Sequence, residues 1–163
     1  TPRRGGTLTV ALQNDAKSLD PTFQINFSER QPLYLIYNTL VALNPDFSIR
    51  PELAETWQTS ADGKTLTLRL RSGVKFHDGA VFDAAAAKWN LERRMDPQVK
   101  SPSRQQLTEI VESVEAPNAT TLILRLKGAA PSLLGMLAQR EGFMISPAAA
   151  EKFGANLGQN PVG

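Results

Sequence analysis

Two runs of alternating leucines constrain the fold of this chain more than any other feature. Leucine takes every second position of residues 65–70 and again of residues 122–126, which places the leucines of each run on one face of a strand. Asp62-Gly63 lies just before the first run, and Asp-Gly between two alternating segments is a strong hairpin signal. We therefore predict two strand pairs, 57–60 with 65–70 and 110–114 with 122–126, whose leucines face the core.

Capping and proline signals predict the helices. A capping-box pattern favours a helix over 28–39, and Asp83 is a suitable N-cap for a helix over 84–94. Proline is favoured in the first turn of a helix, which predicts shorter helices over 131–137 and from residue 147 onwards. The chain is therefore expected to combine hairpins with helices.

Two further strands are expected outside these pairs. Leu8, Val10 and Leu12 alternate with smaller or polar residues, which predicts a half-buried strand over 7–13. Residues 142–145 are expected to form a short strand. Trp57 and Trp89 are interpreted as core residues, since large apolar side chains usually pack.

Composition removes several classes of function. The 163 residues contain no cysteine and one histidine, which excludes thiol chemistry and zinc sites built on those residues. The net charge is +2, and the basic residues are scattered rather than gathered on one segment, which argues against a nucleic-acid binder. No run of 18 apolar residues occurs, so no membrane-spanning helix is expected.

The segment 51–79 reads PELAETWQTSADGKTLTLRLRSGVKFHDG. This pattern resembles the signature of the family 5 extracellular solute-binding proteins, the peptide/nickel-type receptors of ABC importers. The flanks are similar to the same family: SLDP at 18–21, the stretch 133–147 and QNPVG at 159–163. The resemblance spans essentially the whole chain.

The resemblance implies an α/β (mixed α+β) fold: a periplasmic-binding-protein-like lobe of type II, with a mixed sheet, flanking helices and hairpins. Family members are longer, with two lobes around a ligand cleft, and this chain stops inside a family motif. Residues 1–163 are therefore expected to be most of the N-terminal lobe, with the C-terminal lobe absent.

The implied function is capture of a small solute, a peptide in the first place, by closure of two lobes around it. The expected partner is an ABC permease in the inner membrane. The expected location is the periplasm, or the cell surface with a lipid anchor in a Gram-positive organism. No bond is broken, no cofactor or metal is implied, and one lobe alone is expected to bind weakly.

Two segments are expected at the ligand cleft. The loop after the first predicted strand lies where open α/β sheets bind ligands. The resemblance places a second segment near residue 140 at the cleft in some relatives, and an arginine there is suited to a bidentate bond with a carboxylate. The alternative for that arginine is a surface ion pair with Glu141. The candidate ligand-binding residues are Asn14, Asp15, Ala16, Ser18, Arg140 and Phe143.

Two other functions are alternatives to solute binding. A hydrolase would use His77-Asp78, but no serine stands in a Gly-x-Ser-x-Gly elbow, and an Asp-Gly turn accounts for the same residues. A basic nucleic-acid-binding module is the other alternative. The signature residues themselves are interpreted as structural: Trp57, Asp62, Gly63, Phe76, His77, Asp78 and Gly79.

Overall fold

A computed structural model describes residues 5–7, 9–12, 15–16, 18–23 and 27–163 of the chain. The helices are α1 Phe27–Leu33, α2 Ala84–Met95, α3 Arg104–Ile110, α4 Leu133–Leu137 and α5 Pro147–Phe153, and the strands are β1 Val41–Leu43, β2 Ile49–Pro51, β3 Ala54–Thr59, β4 Thr65–Leu70, β5 Val111–Asn118 and β6 Thr121–Leu126. Two 3₁₀ turns, Arg140–Gly142 and Gly154–Gln159, lie on either side of α5.

The two predicted strand pairs form one four-stranded sheet in the order β3-β4-β6-β5. In its centre β4 pairs with β6, so that Leu66 lies opposite Leu124 and Leu68 opposite Leu122. The leucines of both runs are buried, which confirms the hairpins and the apolar face. Every strand pairing of the described residues is antiparallel, whereas a mixed sheet was expected.

Helix α2 covers the apolar face of the sheet. It packs on β5 and β6 and buries Ala84, Ala87 and Leu91. The predicted cap is confirmed, since the Asp83 carboxylate accepts a hydrogen bond from the Ala86 N–H at 2.8 Å. The cap and the apolar face together fix the direction of α2.

The predicted strand over residues 7–13 is wrong for its described part, which contains no strand. Val10 is 63% exposed and Leu12 37% exposed. A strand needs a partner for its backbone groups and an apolar surface for its buried face. Residues 9–12 have neither in the described part of the chain, so alternation alone does not make them a strand.

Helix α1 is shorter than its predicted range of 28–39. It ends at Leu33, and tight i+3 bonds close the following turn, from Leu35 N–H to the Pro32 carbonyl and from Ile36 N–H to the Leu33 carbonyl. Thr39 then forms a bridge opposite Phe143. The chain must be extended at that bridge, so the helix cannot continue.

A second, smaller core lies beside the first. It is formed by Leu33, Tyr37, Phe143, Ile145, Ala149 and Leu157. The Asn90 side chain joins α2 to it by donating to the Ile145 carbonyl at 2.9 Å and accepting from the Ile145 N–H at 3.0 Å. Phe143 forms an isolated bridge with Thr39, but the pairing does not extend to Ile145, whose backbone groups bond to the Asn90 side chain. Residues 142–145 are therefore not the predicted strand.

Candidate ligand-binding rim

The loop predicted to line a cleft is held at several points. We call residues 15–16 and 18–23 the rim loop. Its Ser18 hydroxyl accepts from the Asp20 N–H at 3.1 Å, the Leu19 N–H donates to the Gly158 carbonyl at 3.0 Å, and the Leu19 carbonyl accepts from the Tyr37 hydroxyl at 2.9 Å. These contacts fix a segment that has no regular secondary structure.

The predicted residues of this loop differ in exposure. Asp15 is exposed, whereas Ala16 and Ser18 are half-buried. Asn14 lies outside the described residues. The loop therefore offers one carboxylate to solvent just before its anchored part.

A buried ion pair anchors the rim loop to α2. The Asp20 carboxylate receives two hydrogen bonds from Arg93, Nη2 to Oδ2 at 2.8 Å and Nη1 to Oδ1 at 3.3 Å, and one from the Thr22 N–H at 2.9 Å. Burial alone would raise the pKa of Asp20, but the hydrogen bonds and charge of Arg93 outweigh it and hold that pKa below its usual value. Asp20 is therefore an ionised anchor at neutral pH.

The next residue of α2 joins the rim loop to the second predicted segment. Arg94 is 1% exposed. Its Nη1 donates to the Pro21 carbonyl and its Nη2 to the Phe143 carbonyl, both at 3.1 Å. Burial lowers the pKa of Arg94 to about 10, while Glu141 and Asp20 act in the opposite direction, so the guanidinium is protonated at neutral pH.

We call residues 139–143 the rim segment. Its turn brings backbone into close contact with α4, since a Cβ on Gly142 would lie 1.7 Å from the Leu137 carbonyl oxygen. Arg140 Nε donates to Glu141 Oε1 at 2.9 Å. This is the ion pair that was predicted as the alternative to a ligand contact of Arg140. The terminal Nη1 and Nη2 of Arg140 donate to no described residue.

A pocket of about 440 Å3 opens beside this ion pair. Arg30 contributes to its wall and donates from Nη1 to Gln139 Oε1 at 2.8 Å. The pocket thus contains two guanidinium groups, Arg30 and Arg140, and the carboxylate of Glu141. Such a wall is suited to an anionic group that reaches the terminal nitrogens of Arg140.

Phe143 lies deeper than a rim residue. Its side chain is 0% exposed, and its ring packs against Tyr34, with centroids 4.9 Å apart, and Tyr37, with centroids 6.3 Å apart. The Phe143 side chain therefore has no surface that a solute can contact in this structure. A ligand contact of Phe143 therefore stays a prediction, as do the contacts of Asp15, Ala16, Ser18 and Arg140.

The sequence did not reveal the residues that join the two segments. Arg93 and Arg94 stand out in the sequence only as an adjacent basic pair, and Asp20 only as part of a loop. Their bonds connect residues 73 and 49 positions apart, and no local pattern marks such pairs. Sequence reasoning therefore named the two segments but missed what holds them.

The pair His77-Asp78 forms part of a turn. The Gly79 N–H donates to the Phe76 carbonyl at 2.9 Å, and the Asp78 carboxylate accepts from the Ser146 hydroxyl at 2.5 Å and the Ala80 N–H at 3.0 Å. The hydrogen bond from Ser146 lowers the pKa of Asp78. The His77 Nδ1 accepts a hydrogen bond from the Gly163 N–H at 3.2 Å, whereas Asp78 bonds to Ser146 and Ala80. Because the described bonds of the two side chains go to these separate groups and not to each other, His77 and Asp78 do not form a catalytic dyad.

The remaining signature residues lie in turns or pack in the core. Asp62 accepts from the Ser60 hydroxyl at 2.5 Å and the Lys64 N–H at 3.0 Å, and Gly63 has a φ of 71° in the same turn. Phe76 is buried against Phe82. Trp57 is half-buried against the main core.

Across the described ranges, no three acidic or histidine side chains lie close enough together to bind a metal ion. No helix in that same part of the chain has the length and hydropathy needed to cross a membrane.

Comparison with known proteins identifies the family. The model of the bacterial extracellular solute-binding proteins, family 5, matches residues 48–163. The glutathione-binding protein GsiB of Escherichia coli O1:K1 / APEC is 36% identical over 156 residues, which cover 96% of this chain and 30% of that protein. This chain belongs to the family 5 extracellular solute-binding proteins.

Solved structures show the same fold. The PBP AgaA of A. tumefaciens R10, in complex with agropinic acid, superposes with a TM-score of 0.83 and 34% identity over 91% of this chain and 30% of that one. The periplasmic binding protein DppA of Helicobacter pylori, in complex with the peptide STSA, has a TM-score of 0.81 and 27% identity over 91% of this chain and 33% of that one. The predicted α/β fold of a periplasmic-binding-protein lobe is confirmed, and the chain spans about a third of the length of these relatives.

Proposed function

We propose that this chain forms most of the N-terminal lobe of a two-lobe receptor that captures a small solute for an ABC permease. Support comes from the family match over residues 48–163 and from the share of the relatives, about 30%, that the chain spans. The receptor acts in the periplasm or at the cell surface. It binds and releases its solute without breaking a bond, so it is not an enzyme.

The proposed ligand surface is the rim loop together with the rim segment. The observation that carries this proposal is Arg140, whose terminal nitrogens have no partner among the described residues while its Nε is held by Glu141 at 2.9 Å. An arginine oriented in this way, beside a pocket of about 440 Å3, is ready to bind a carboxylate. Glutathione, for which the relative GsiB is named, and the bound ligands of AgaA and DppA, agropinic acid and the peptide STSA, all carry a carboxylate. The proposed solute is therefore a peptide or another small carboxylate-bearing molecule.

The proposed mechanism is hinge closure. One lobe presents the rim, a second lobe closes over the solute, and the closed form is the one that a permease recognises. A ligand held by both lobes loses much of its contact area when only one lobe is present, since small-molecule sites bury most of the ligand surface. The 163-residue chain should therefore bind its solute weakly.

Titration of this chain with glutathione and with the peptide STSA, followed by NMR, tests the proposal. If one lobe retains about half of the roughly 12 kcal/mol of a nanomolar complex, the Kd is on the order of 30 µM. We expect fast-exchange shifts that are confined to the rim loop and the rim segment. Nanomolar binding by this chain, or shifts confined to the sheet, would contradict the two-lobe proposal.

A matched pair of arginine variants tests the carboxylate contact. Arg140 and Arg125 each hold a glutamate through Nε at 2.9 Å, but Arg125 lies on the outer face of the sheet. Arg140→Gln should weaken binding of either probe about tenfold, in line with loss of one charged hydrogen-bonded contact. Arg125→Gln should leave the Kd unchanged. Equal effects of the two variants would show that Arg140 contributes only general positive charge.

A further inference from the structure

Arg94 is a buried charge that the proposed binding surface does not use directly. It lies on α2, between the two parts of the rim, and its guanidinium is nine-tenths or more buried. Burying a guanidinium is costly unless its hydrogen bonds are made in good geometry. Its two terminal nitrogens donate to backbone carbonyls of the rim, Pro21 on one side and Phe143 on the other, while its buried Nε has no hydrogen-bond partner among the described residues. The fork of Arg94 therefore spans the gap between rim loop and rim segment.

We propose that Arg94 is a positioning residue, which sets the distance between the rim loop and the rim segment without touching the solute. Its effect on solute binding rests on the function proposed above, whereas its effect on the geometry of the rim does not. The planar guanidinium has two terminal nitrogens at fixed separation and can therefore hold two carbonyls at once, which a lysine ammonium on a flexible stem does less rigidly.

Electrostatic contacts link Arg94 to the ligand-facing arginine. Arg94 interacts with Glu141, and the Glu141 carboxylate also holds Arg140 through Nε. The neighbouring Arg93 holds the side chain of Asp20, while Arg94 holds the backbone one residue later. Two consecutive residues of one helix thus fix the rim loop, and the second of them extends the same support to the rim segment.

The chemistry of Arg94 favours a role beyond stability. Well-packed apolar residues often replace buried ions without loss of stability, so stability alone does not require an arginine here. An apolar residue would leave the Pro21 and Phe143 carbonyls to find other donors, and the two segments could then separate. What only the charged fork supplies is a fixed separation of the two carbonyls.

The absence of cysteine from the chain makes a direct test possible. Spin labels are placed at Asp15→Cys and Gln139→Cys, one on each part of the rim, and the distance distribution is measured by pulsed electron resonance. A control pair, Lys64→Cys with Glu112→Cys, uses two exposed positions away from the rim, one directly before β4 and one in β5. Arg94→Met should broaden the rim distribution about twofold, as expected for a locally released segment, and should leave the control distribution unchanged.

Arg94→Lys is the second variant. It keeps the charge but has one donor nitrogen in place of the two terminal nitrogens of the fork, so it should broaden the rim distribution less than Arg94→Met does. A core variant, Val114→Ala, destabilises the buried face of β5 away from the rim and should leave the rim distribution unchanged. An unchanged rim distribution in both Arg94 variants would overturn the proposal. Unfolding of both variants would also overturn it, because Arg94 would then be a stabiliser of the whole fold.

Binding provides the second measurement. With glutathione as the probe, Arg94→Lys should raise the Kd about tenfold, within the range of coupling between sites, while Val114→Ala should leave it unchanged. If the unmodified chain binds neither glutathione nor STSA, the proposed function fails, and the label distances alone decide the role of Arg94. If glutathione binds and Arg94→Lys leaves both the Kd and the distances unchanged, Arg94 is not a positioning residue.

Discussion

The sheet and the rim are stabilised in different ways. In the sheet, β4 and β6 lie side by side and bury their leucines in one apolar face. In the rim, irregular backbone is held by side chains from distant parts of the sequence, chiefly Arg93, Arg94 and Tyr37. The sheet is therefore stabilised mainly by apolar packing, whereas the rim is stabilised mainly by hydrogen bonds to polar groups that are buried away from water.

The two kinds of contact differ in how they respond to substitution. Apolar burial is non-directional and tolerates exchanges of similar volume. The bonds of the rim are directional, and each depends on one atom at one place. Substitutions in the sheet should therefore affect stability everywhere at once, and substitutions in the rim should affect local geometry first.

The largest expected effect is in the sheet. Leu124 is fully buried and lies opposite Leu66 on one side and Val114 on the other. Leu124→Ala should lower the free energy of unfolding by about 3–4 kcal/mol, through lost burial and the cavity left behind. Urea denaturation measures this. Ile123→Ala, one residue away on the half-exposed face, is the control and should cost much less; equal losses would mean that the face is not the core.

The same contrast decides what could be predicted from the sequence. The hairpin at Asp62-Gly63 and the cap at Asp83 are local signals whose physical cause lies within a few residues. Both were predicted and both are present. In these two cases the residue that makes the contact lies close by in the sequence, so a local pattern was enough to predict the structure.

Predictions from the sequence were wrong where the bonding or packing partner of a residue lies far away along the chain or is absent from the described residues. Val10 and Leu12 alternate like strand residues, but no described residue pairs with them. Ile145 lies in an apolar run but bonds to Asn90, 55 residues earlier. The contacts of Arg94 have no sequence signal at all, because a buried arginine and an exposed one look alike in a sequence.

The second-largest effect is expected when the ion pair between Asp20 and Arg93, which anchors the rim loop, is removed. Asp20→Asn removes the charge that receives two hydrogen bonds from Arg93 and should cost about 2–3 kcal/mol, since it leaves a largely buried arginine without its counter-ion. Unfolding by urea at pH 7 measures the loss. A loss as small as that of an exposed ion pair would show that the anchor is solvated.

The pH dependence of the same variant gives the sign of the linkage. The pKa of Asp20 is lower in the folded protein than its ordinary value of 3.8, so the stabilisation is complete above that ordinary value and is lost as the pH falls through the folded pKa. The difference in stability between the unmodified chain and Asp20→Asn should therefore shrink as the pH is lowered below about 4. A difference that grows in acid would contradict the assignment.

A smaller effect tests the contact between the rim loop and the 3₁₀ turn. A Cβ on Gly158 would lie 2.0 Å from the Ser18 hydroxyl oxygen. Gly158→Ala should cost about 1–2 kcal/mol, as overpacking does, and Ser18→Gly should restore part of it. Gly135→Ala in α4, where a Cβ meets nothing within 4 Å, is the control and should be neutral or slightly stabilising. Thermal unfolding of the unmodified chain, Gly158→Ala, Gly158→Ala with Ser18→Gly, and Gly135→Ala measures these differences in stability. If Ser18→Gly does not restore stability to Gly158→Ala, the loss does not come from a clash with the Ser18 hydroxyl.

The smallest effect compares two ion pairs of equal length. Arg140–Glu141 and Arg125–Glu115 both join Nε to Oε1 at 2.9 Å, but their side chains are 22% and 5% exposed in the first pair and 45% each in the second. Water screens the second pair, so Arg125→Gln should leave the unfolding free energy within error. Arg140→Gln leaves the buried Glu141 with less compensation and should cost about 1 kcal/mol. Urea unfolding at low and high salt separates them, because added salt screens the exposed pair more than the buried one. If the two variants were equally mild and equally sensitive to salt, the rim would be as solvated as the sheet surface, and its arginine would have no special readiness for a carboxylate.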